Sequence, residues 1–526
     1  MKNNNKVYLV GGGIASLSAA FFLLKDGKMA GKDIIIFENS KKIGGSLDGE
    51  KKLNEDFYII RGHRLMEESV YEATFNLLSQ LPSLENPQQN LKEEVLDFNQ
   101  KVKIFAKARF ILRGVIVDAY SLSLSGRDRL NLLYLLFKTE KSIQTLRINE
   151  YFSVDFFKSN FWLEFCTIFA FQPWHSLIEF RRYILNIFHL IDFLDTLSCG
   201  VSTPYCQYDS IIVPLMDYLK KRQVNFKKNC LVEDLDFIKD GKASRVKKIY
   251  YQEQKIKKEI VLNFEDAVIV TLGSMTANSS FGSHEKAPEL KKDLPSPAWS
   301  FWEKISQKQT DFGNPTVFND HINRSKWESF SITFNNPLFF DLMEKLTGNK
   351  AGTDGGSTFK NSNWNLSITL PYQPHFKNQP KNLQVCWGYG MTPDVKGNFV
   401  KKKMSECSGE DILAELCGHL KFEKYQKQIQ ASAICIPYMM PYITSQFSLR
   451  KKGDRPLVIP KSVKNLAFIG QFCEVPNGIV FTIEYSIRSA QIAVYSLLNI
   501  KKKIPPIYKG YYNLKNIYKA IKTVFR

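Results

Sequence analysis

The chain has 526 residues, 44% hydrophobic and 24% charged, with a net charge of +20 and a pI of about 9.3. That length exceeds what one hydrophobic core sustains, so two or more domains are expected, and the composition excludes a disordered or fibrous chain. The positive balance favours anionic partners, yet no helix-turn-helix, RRM, KH or zinc-finger pattern occurs, so nucleic acid is not expected among them.

The N-terminus, MKNNNKVYLVGGG, runs straight into a strand with no secretory pattern, and no apolar run of membrane-spanning length follows. The nine cysteines are scattered and never spaced CxxC, which argues against a disulfide framework and a structural metal site. A cytoplasmic protein with reduced thiols is expected.

Residues 6–10 (KVYLV) read as a buried parallel strand. Gly11-Gly12-Gly13-Ile14-Ala15-Ser16 opens a helix that Gly27 stops, and a second strand over 34–37 ends in Glu38. In such a unit Gly11 permits the tight turn and Gly13 admits a pyrophosphate. The opening turn at Ala15 offers it free N–H groups. Ser16 replaces the third glycine and is still small enough for close helix–strand packing. Glu38 sits where a carboxylate accepts hydrogen bonds from the adenosine ribose. An acid, a short spacer and then Gly44-Gly45-Ser46 is the habit of FAD-binding folds, so FAD is the expected cofactor.

Residues 127–200 are predicted mostly helical, apolar and aromatic, either as plain core or as the wall of a long apolar cavity. Residues 207–290 return to α/β, with a hairpin expected between 246–251 and 259–264 and a buried strand over 267–271. Residues 280–380 read as loops and short strands, with some helix near Trp302. A strand is expected over 382–390 and a helix over 408–420. The stretch 465–472 is a strand leading into a glycine turn at Gly470. A long helix carrying Phe481, Thr482 and Glu484 then turns its N-terminus toward the flavin.

The fold class expected is α/β: a Rossmann-like FAD-binding fold with inserted mixed and helical substrate domains. Its boundaries are FAD-binding parts at 1–126, 205–290 and 441–500, a helical channel layer at 127–204 and a substrate domain at 291–440. Residues 501–526 form a tail with eight Lys/Arg and no acid. Leu514, Ile517, Tyr518, Ile521, Val524 and Phe525 fall at helical spacing there, which suits an anionic membrane surface.

Ten segments in order resemble one family. They include RGHRLMEE (61–68), FAFQPWHSLIEFRRY (169–183), TPYCQYDS (203–210), QPHFKNQP (373–380), MMPYITSQF (439–447) and GQFCEVPNGIVFTIEYSIRSA (470–490). The chain is identified as a member of the oleate hydratases, the myosin-cross-reactive-antigen family of fatty acid hydratases. The resemblance implies a hydro-lyase adding water to the cis-9 double bond of unsaturated long-chain fatty acids such as oleate. FAD is required but not consumed as a redox reagent. It also implies a homodimer, peripheral on the inner membrane surface.

The family's proton donor is the first tyrosine of a T-x-Y-N-Q-Y stretch, which falls on Tyr205, with Tyr208 the second. The family loop R-G-G-R-E-M reads Arg61-Gly62-His63-Arg64-Leu65-Met66 here. Leu65 therefore stands where a glutamate activates water, and His63 or Glu67 are the candidates for that role; Glu68 is the neighbouring alternative. Arg64 keeps its family place beside the flavin. Thr444 and Gln446, with Arg450 close behind, are polar residues that suit the substrate carboxylate. Arg181 and Arg182 suit ion pairs between domains. Two alternatives stay open: a redox flavoenzyme of amine-oxidase type, and a family member that binds FAD and lipid without turnover.

Overall fold

The computed structural model describes residues 5–51, 57–292 and 296–526. The fold is mixed α/β. Among the described residues, five parallel strands form one sheet in the order Leu466–Ile469, Ala267–Thr271, Val7–Val10, Ile34–Glu38, Asn225–Lys228. The first four strands in that order are short buried runs rich in Val, Ile, Leu and Phe, covered by helices Ile14–Lys25 and Ile483–Leu497 and, at Phe37, by Tyr251 of an antiparallel unit, whereas the edge strand Asn225–Lys228 is polar. Helix Ile14–Lys25 is buried from Ile14 to Leu23 and packs against helix Ile483–Leu497, with Phe22 and Tyr495 rings 6.2 Å apart. Two elements some 460 residues apart in sequence thus close one core, and the nucleotide fold is discontinuous along the chain.

A twisted three-stranded antiparallel unit, Cys230–Asp240, Ala243–Glu253 and Ile256–Val261, follows the edge strand. The expected hairpin is present, with Glu259 opposite Tyr250. The second large sheet has eight strands, in the order Ser280–Phe281, Ala433–Met440, Trp327–Phe334, Gln384–Gly390, Leu366–Thr369, Ser357–Phe359, Phe110–Leu112, Val115–Val117. Its central strand Trp327–Phe334 is buried at every position, although the surrounding Asn, Ser and Gly content reads as loops. Burial on both sides, not alternation, makes this strand.

The stretch 127–200 is helical as expected, but broken into short pieces. Helices Gly126–Phe137, Asn160–Phe169 and Leu177–Asn186 are the longest, and the last turns into a tighter helix over Phe188–Phe193. The chain from 177 to 197 is therefore not one continuous helix. Phe481 precedes the late helix rather than lying on it, in the left-handed region at φ 70°. Its amide donates to Gln471 Oε1 at 2.6 Å, which holds it there. The tail helix Leu514–Val524 docks on Phe188–Phe193 by its Ala520–Val524 edge. Leu514, Tyr518, Ile521 and Phe525 remain exposed among lysines. No helix among the described residues is long and apolar enough to cross a membrane.

Candidate functional site

Two cavities meet at Arg61. The first is a cleft of about 480 Å³ at the C-terminal ends of the parallel strands. Gly11, Gly13, Ala15, Glu38, Gly45, Ser46 and Gly470 line it, with residues 271–278 opposite. Gly11 has φ 98°, and a Cβ there would sit 3.2 Å from the Thr271 side chain. Gly13 caps the following helix in extended conformation with no side-chain cap. The first-turn N–H groups are thus free to meet an anion.

The two glycine loops touch. Gly44 N donates to Gly12 O at 3.0 Å, and a Cβ on Gly45 would lie 3.0 Å from Gly13 Cα. Gly45 itself has φ 58°. Gly44 lies behind this contact, over the Tyr208 ring, on which Lys42 Nζ sits 4.0 Å from the centroid. Tyr208 therefore supports the loop and lines neither cavity. Ser16 is buried below the cleft, its hydroxyl 3.1 Å from Thr271 Oγ1. Glu38 spans the entrance, accepting from Gly12 N at 2.7 Å and Ser40 N at 2.8 Å.

The second cavity, of about 230 Å³, is walled mostly by apolar side chains. Phe169, Ile187, Leu190, Phe193, Leu194 and Leu197 come from the helical layer, and Trp327, Trp387 and Tyr389 from the large sheet. The loop of residues 61–67 separates it from the cleft. Met66 exchanges two backbone hydrogen bonds with Val201, which clamps this loop to the segment before Tyr205.

His63, Arg64, Leu65 and Glu67 all face this cavity. His63 is enclosed beside Arg64 and 6.3 Å from the His375 ring. Burial, then the neighbouring guanidinium, pushes its imidazole down to about 4. It is neutral at neutral pH and able to accept a proton. Arg64 donates to the carbonyls of Ser46, Arg61 and Gly62 at 3.1–3.3 Å and pairs with no described carboxylate. Burial lowers it to about 10. Through the Ser46 carbonyl it ties this loop to the second glycine loop. Leu65 fills space against Gly200, where a Cβ would lie 2.9 Å from Leu65 Cδ1. The Glu67 carboxylate accepts from Ser69 Oγ at 2.6 Å and Val70 N at 3.0 Å, so part of it is spent on its own turn.

Tyr205 is half-buried and lines neither cavity. Its amide donates to Ser210 Oγ at 3.1 Å. Burial and the Glu85 carboxylate raise its phenol above the ordinary value. Cys199 and Gly200, a few residues earlier, do reach the cavity. Thr444 and Gln446 are buried but also line neither cavity. Thr444 Oγ1 donates to Ser325 O at 2.9 Å, which ties its turn to the helix before Trp327, and Gln446 Nε2 donates to Ile443 O at 3.0 Å within its own turn, its Oε1 having no partner among the described residues. Thr482 caps helix Ile483–Leu497 through Tyr485 N and faces the apolar cavity rather than the cleft.

Arg450 and Arg182 belong to a buried cluster. Arg450 Nε and Arg455 Nη1 donate to Glu179 at 2.8 and 2.9 Å, and Arg182 holds Glu140 and Glu474 at 2.7 Å. The guanidinium groups keep Glu179 ionised, at about 2, against its burial. Arg181 instead donates to the Leu135 and Leu136 carbonyls.

Sequence reading did not single out Tyr71, Trp327, Tyr389 or Arg109, which line the apolar cavity. Trp327 and Tyr389 fall in SKWESF (325–330) and WGYGMTPD (387–394), two of the ten family-like segments, whereas Arg109 shows only as a lone arginine within AKARFIL.

The profile of the MCRA family matches residues 4–495. The chain belongs to the MCRA family. An oleate hydratase from Streptococcus pyogenes serotype M49 (strain NZ131) is 38% identical over 98% of this chain and 89% of its own. A linoleate hydratase from Lactiplantibacillus plantarum is 30% identical over 99% and 98%. In three dimensions this MCRA family member resembles an oxidoreductase from Methanosarcina mazei, with a TM-score of 0.51 at 13% identity, over 94% of this chain and 100% of the other. At that identity the likeness speaks for the fold alone: the MCRA chain carries the dinucleotide-type fold.

Proposed function

We propose that this hydro-lyase binds FAD in the glycine-loop cleft and hydrates the cis-9 double bond of an unsaturated long-chain fatty acid, oleate giving 10-hydroxystearate. The observation that carries this reading is the apolar cavity abutting the nucleotide cleft at Arg61, in a chain matched end to end by hydratases.

The cleft fits the cofactor on its own chemistry. Gly11, Gly13 and the uncapped helix turn at Ala15 would hold the pyrophosphate. Glu38 would exchange its amide partners for ribose hydroxyls. Gly45, Ser46 and Gly470 would border the ribityl and ring portion, with Arg64 behind. When bound, the flavin supplies an electron-rich surface beside the cavity and undergoes no net redox change.

An isolated alkene is a weak base, so hydration needs a dry wall, a proton donor at one carbon and an oriented water at the other. A phenol gives its proton to C9, the oxygen of water bonds to C10, and the proton released by that water returns to the phenolate through an acceptor. The neutral imidazole of His63 is placed for that acceptance, where Leu65 offers no carboxylate; Glu67 is its alternative at the cavity wall. Tyr205 is the donor on the family motif. A second reading assigns Tyr71, whose phenol lines the cavity beside Arg64 and Glu67 with no hydrogen-bond partner for its hydroxyl among the described residues. The exposed apolar and lysine face of the tail helix suits an anionic membrane surface, from which a lipid-dissolved acid is drawn. A homodimer, cytoplasmic and peripheral, completes the reading.

The test is oleate incubated with pure protein and FAD in heavy-oxygen water. A hydroxy acid labelled at C10 is expected. No labelled product over hours would leave only FAD and lipid binding, and stoichiometric anaerobic flavin reduction would make the protein a redox enzyme.

A further inference from the structure

Of the described residues that line the apolar cavity, Glu67 alone carries a carboxylate. One of its oxygens is spent. Oε2 accepts from Val70 N at 3.0 Å and lies 2.6 Å from Ser69 Oγ. Oε1 accepts from no described residue. Ser69 Oγ lies in turn 2.7 Å from Nε2 of His189, which follows 120 residues later in the chain. Three polar groups thus connect the cavity wall to the tight helix Phe188–Phe193.

The placement of protons along these contacts follows from chemistry. Ser69 has one hydroxyl proton and two neighbours. A carboxylate oxygen only accepts, so that proton goes to Glu67, and His189 donates Nε2–H to Ser69 Oγ. Burial lowers the imidazole below its ordinary value, against Glu67 and Asp192, so it is neutral at neutral pH and has no second proton to place. Its lone pair is then on Nδ1, which is buried without a partner. The linker to the tail helix covers that edge of the ring. Tyr508 packs edge-on at 4.8 Å, and a Cβ on Gly510 would lie 2.8 Å from Nδ1. Packing therefore holds the histidine, the histidine orders the serine, and the serine orders the carboxylate. A general base is aimed in this way, by a further group behind its own partner. His63 also lines the wall, but its ring has no hydrogen-bond partner among the described residues.

We propose that Ser69 and His189 are positioning residues for Glu67, which they hold with Oε1 turned to the cavity to take the proton of the attacking water. This rests on the hydration reading above and gives the water-activating role to Glu67 in place of His63. The phenol proton goes to C9, and the water oxygen bonds to C10. An O–H bond of that water breaks toward Oε1, so Glu67 becomes the neutral acid. It gives the proton up again when the phenol is restored.

The proton arrangement is read without substrate, in FAD-loaded protein carrying nitrogen-15 histidine. Two-bond proton–nitrogen correlation at pH 7 should show one of the seven histidines protonated at Nε2 and bare at Nδ1. Loss of that signal in His189→Gln identifies it. Protonation at Nδ1 overturns the proposal, whatever the protein does to oleate. With oleate, Glu67→Gln should lower kcat by about 10²–10⁴. Ser69→Ala and His189→Leu should lower kcat by about 10- to 100-fold through lost aim, with KM within about threefold. His189→Gln and Ser69→Thr supply the same bonds and should keep kcat within about threefold of wild type. A wild-type kcat in Glu67→Gln, or in both Ser69→Ala and His189→Leu, overturns the assignment and leaves hydration standing. A wild type that forms no hydroxy acid overturns both readings. Should His189→Leu not fold by circular dichroism, Ser69→Ala decides together with the tautomer.

Discussion

The nucleotide cleft and the apolar cavity share Arg61 but are built in opposite ways. The cleft is a backbone object: positive-φ glycines, one uncapped helix turn and two loops in contact. The cavity is a side-chain object, assembled from the helical layer, the large sheet, the 61–67 loop and the turn before the late helix. A backbone site tolerates changes of side-chain chemistry and fails when a Cβ is added. A side-chain site does the reverse.

The sharpest way to break this comparison is to remove a single phenolic oxygen. Tyr205→Phe should lower kcat by about 10²–10⁴, the usual contribution of a positioned acid, with flavin affinity unchanged. Tyr71→Phe should stay within tenfold. If the two results exchange places, Tyr71 is the donor.

The two regions are coupled through the buried arginine cluster, and that coupling has its own test. Glu179→Gln takes from Arg455 its carboxylate partner and leaves Arg450 with Glu474 alone in the core. It should cost about 3–5 kcal/mol, seen as a lower Tm, and should loosen both ligands together, because Glu179 lies on a cavity helix while Glu474 follows the Gly470 turn.

A titration on the helix that carries Thr167 gives the next effect. Burial raises Glu164 from 4.5 to about 8. Between these values the unfolded chain has lost this proton while the folded chain keeps it, so the contribution to stability is complete below pH 4.5 and is lost as pH rises through 8. Glu164→Gln removes that dependence. Its stability relative to wild type should rise by ~2–3 kcal/mol from pH 5 to pH 7, read from denaturant melts at both pH values. Equal differences at both would show that Glu164 is ionised in the fold.

The smallest effect probes the cleft. Gly45→Val meets both a positive φ and the Gly13 backbone at 3.0 Å. A strain of about 1–3 kcal/mol should weaken FAD binding by about 5- to 100-fold, measured by flavin titration. Ser46→Ala should change it little, since the bond from Ser46 to Arg64 is made by the carbonyl. A larger loss in the serine variant would reverse the comparison.

What the sequence by itself determined is the part ruled by local backbone demands. Gly11, Gly13, Glu38 and the two flanking strands each carry a steric or hydrogen-bonding requirement readable within about thirty residues, so cleft and fold class were legible. Leu65 and His63 were read as standing in the flavin-side loop, and the structure places both on the apolar cavity. Tertiary structure alone decided the rest. Thr444 and Gln446 are polar in an apolar run, but only the fold shows that their donors go to backbone carbonyls and that both lie outside the two cavities. Arg109 reads as one basic residue among 72. Its place arises when the large sheet and a helix of the cavity wall bury it together on the hydroxyls of Thr358 and Thr167, because the cost of a buried charge depends on surroundings that no neighbouring residue in sequence supplies.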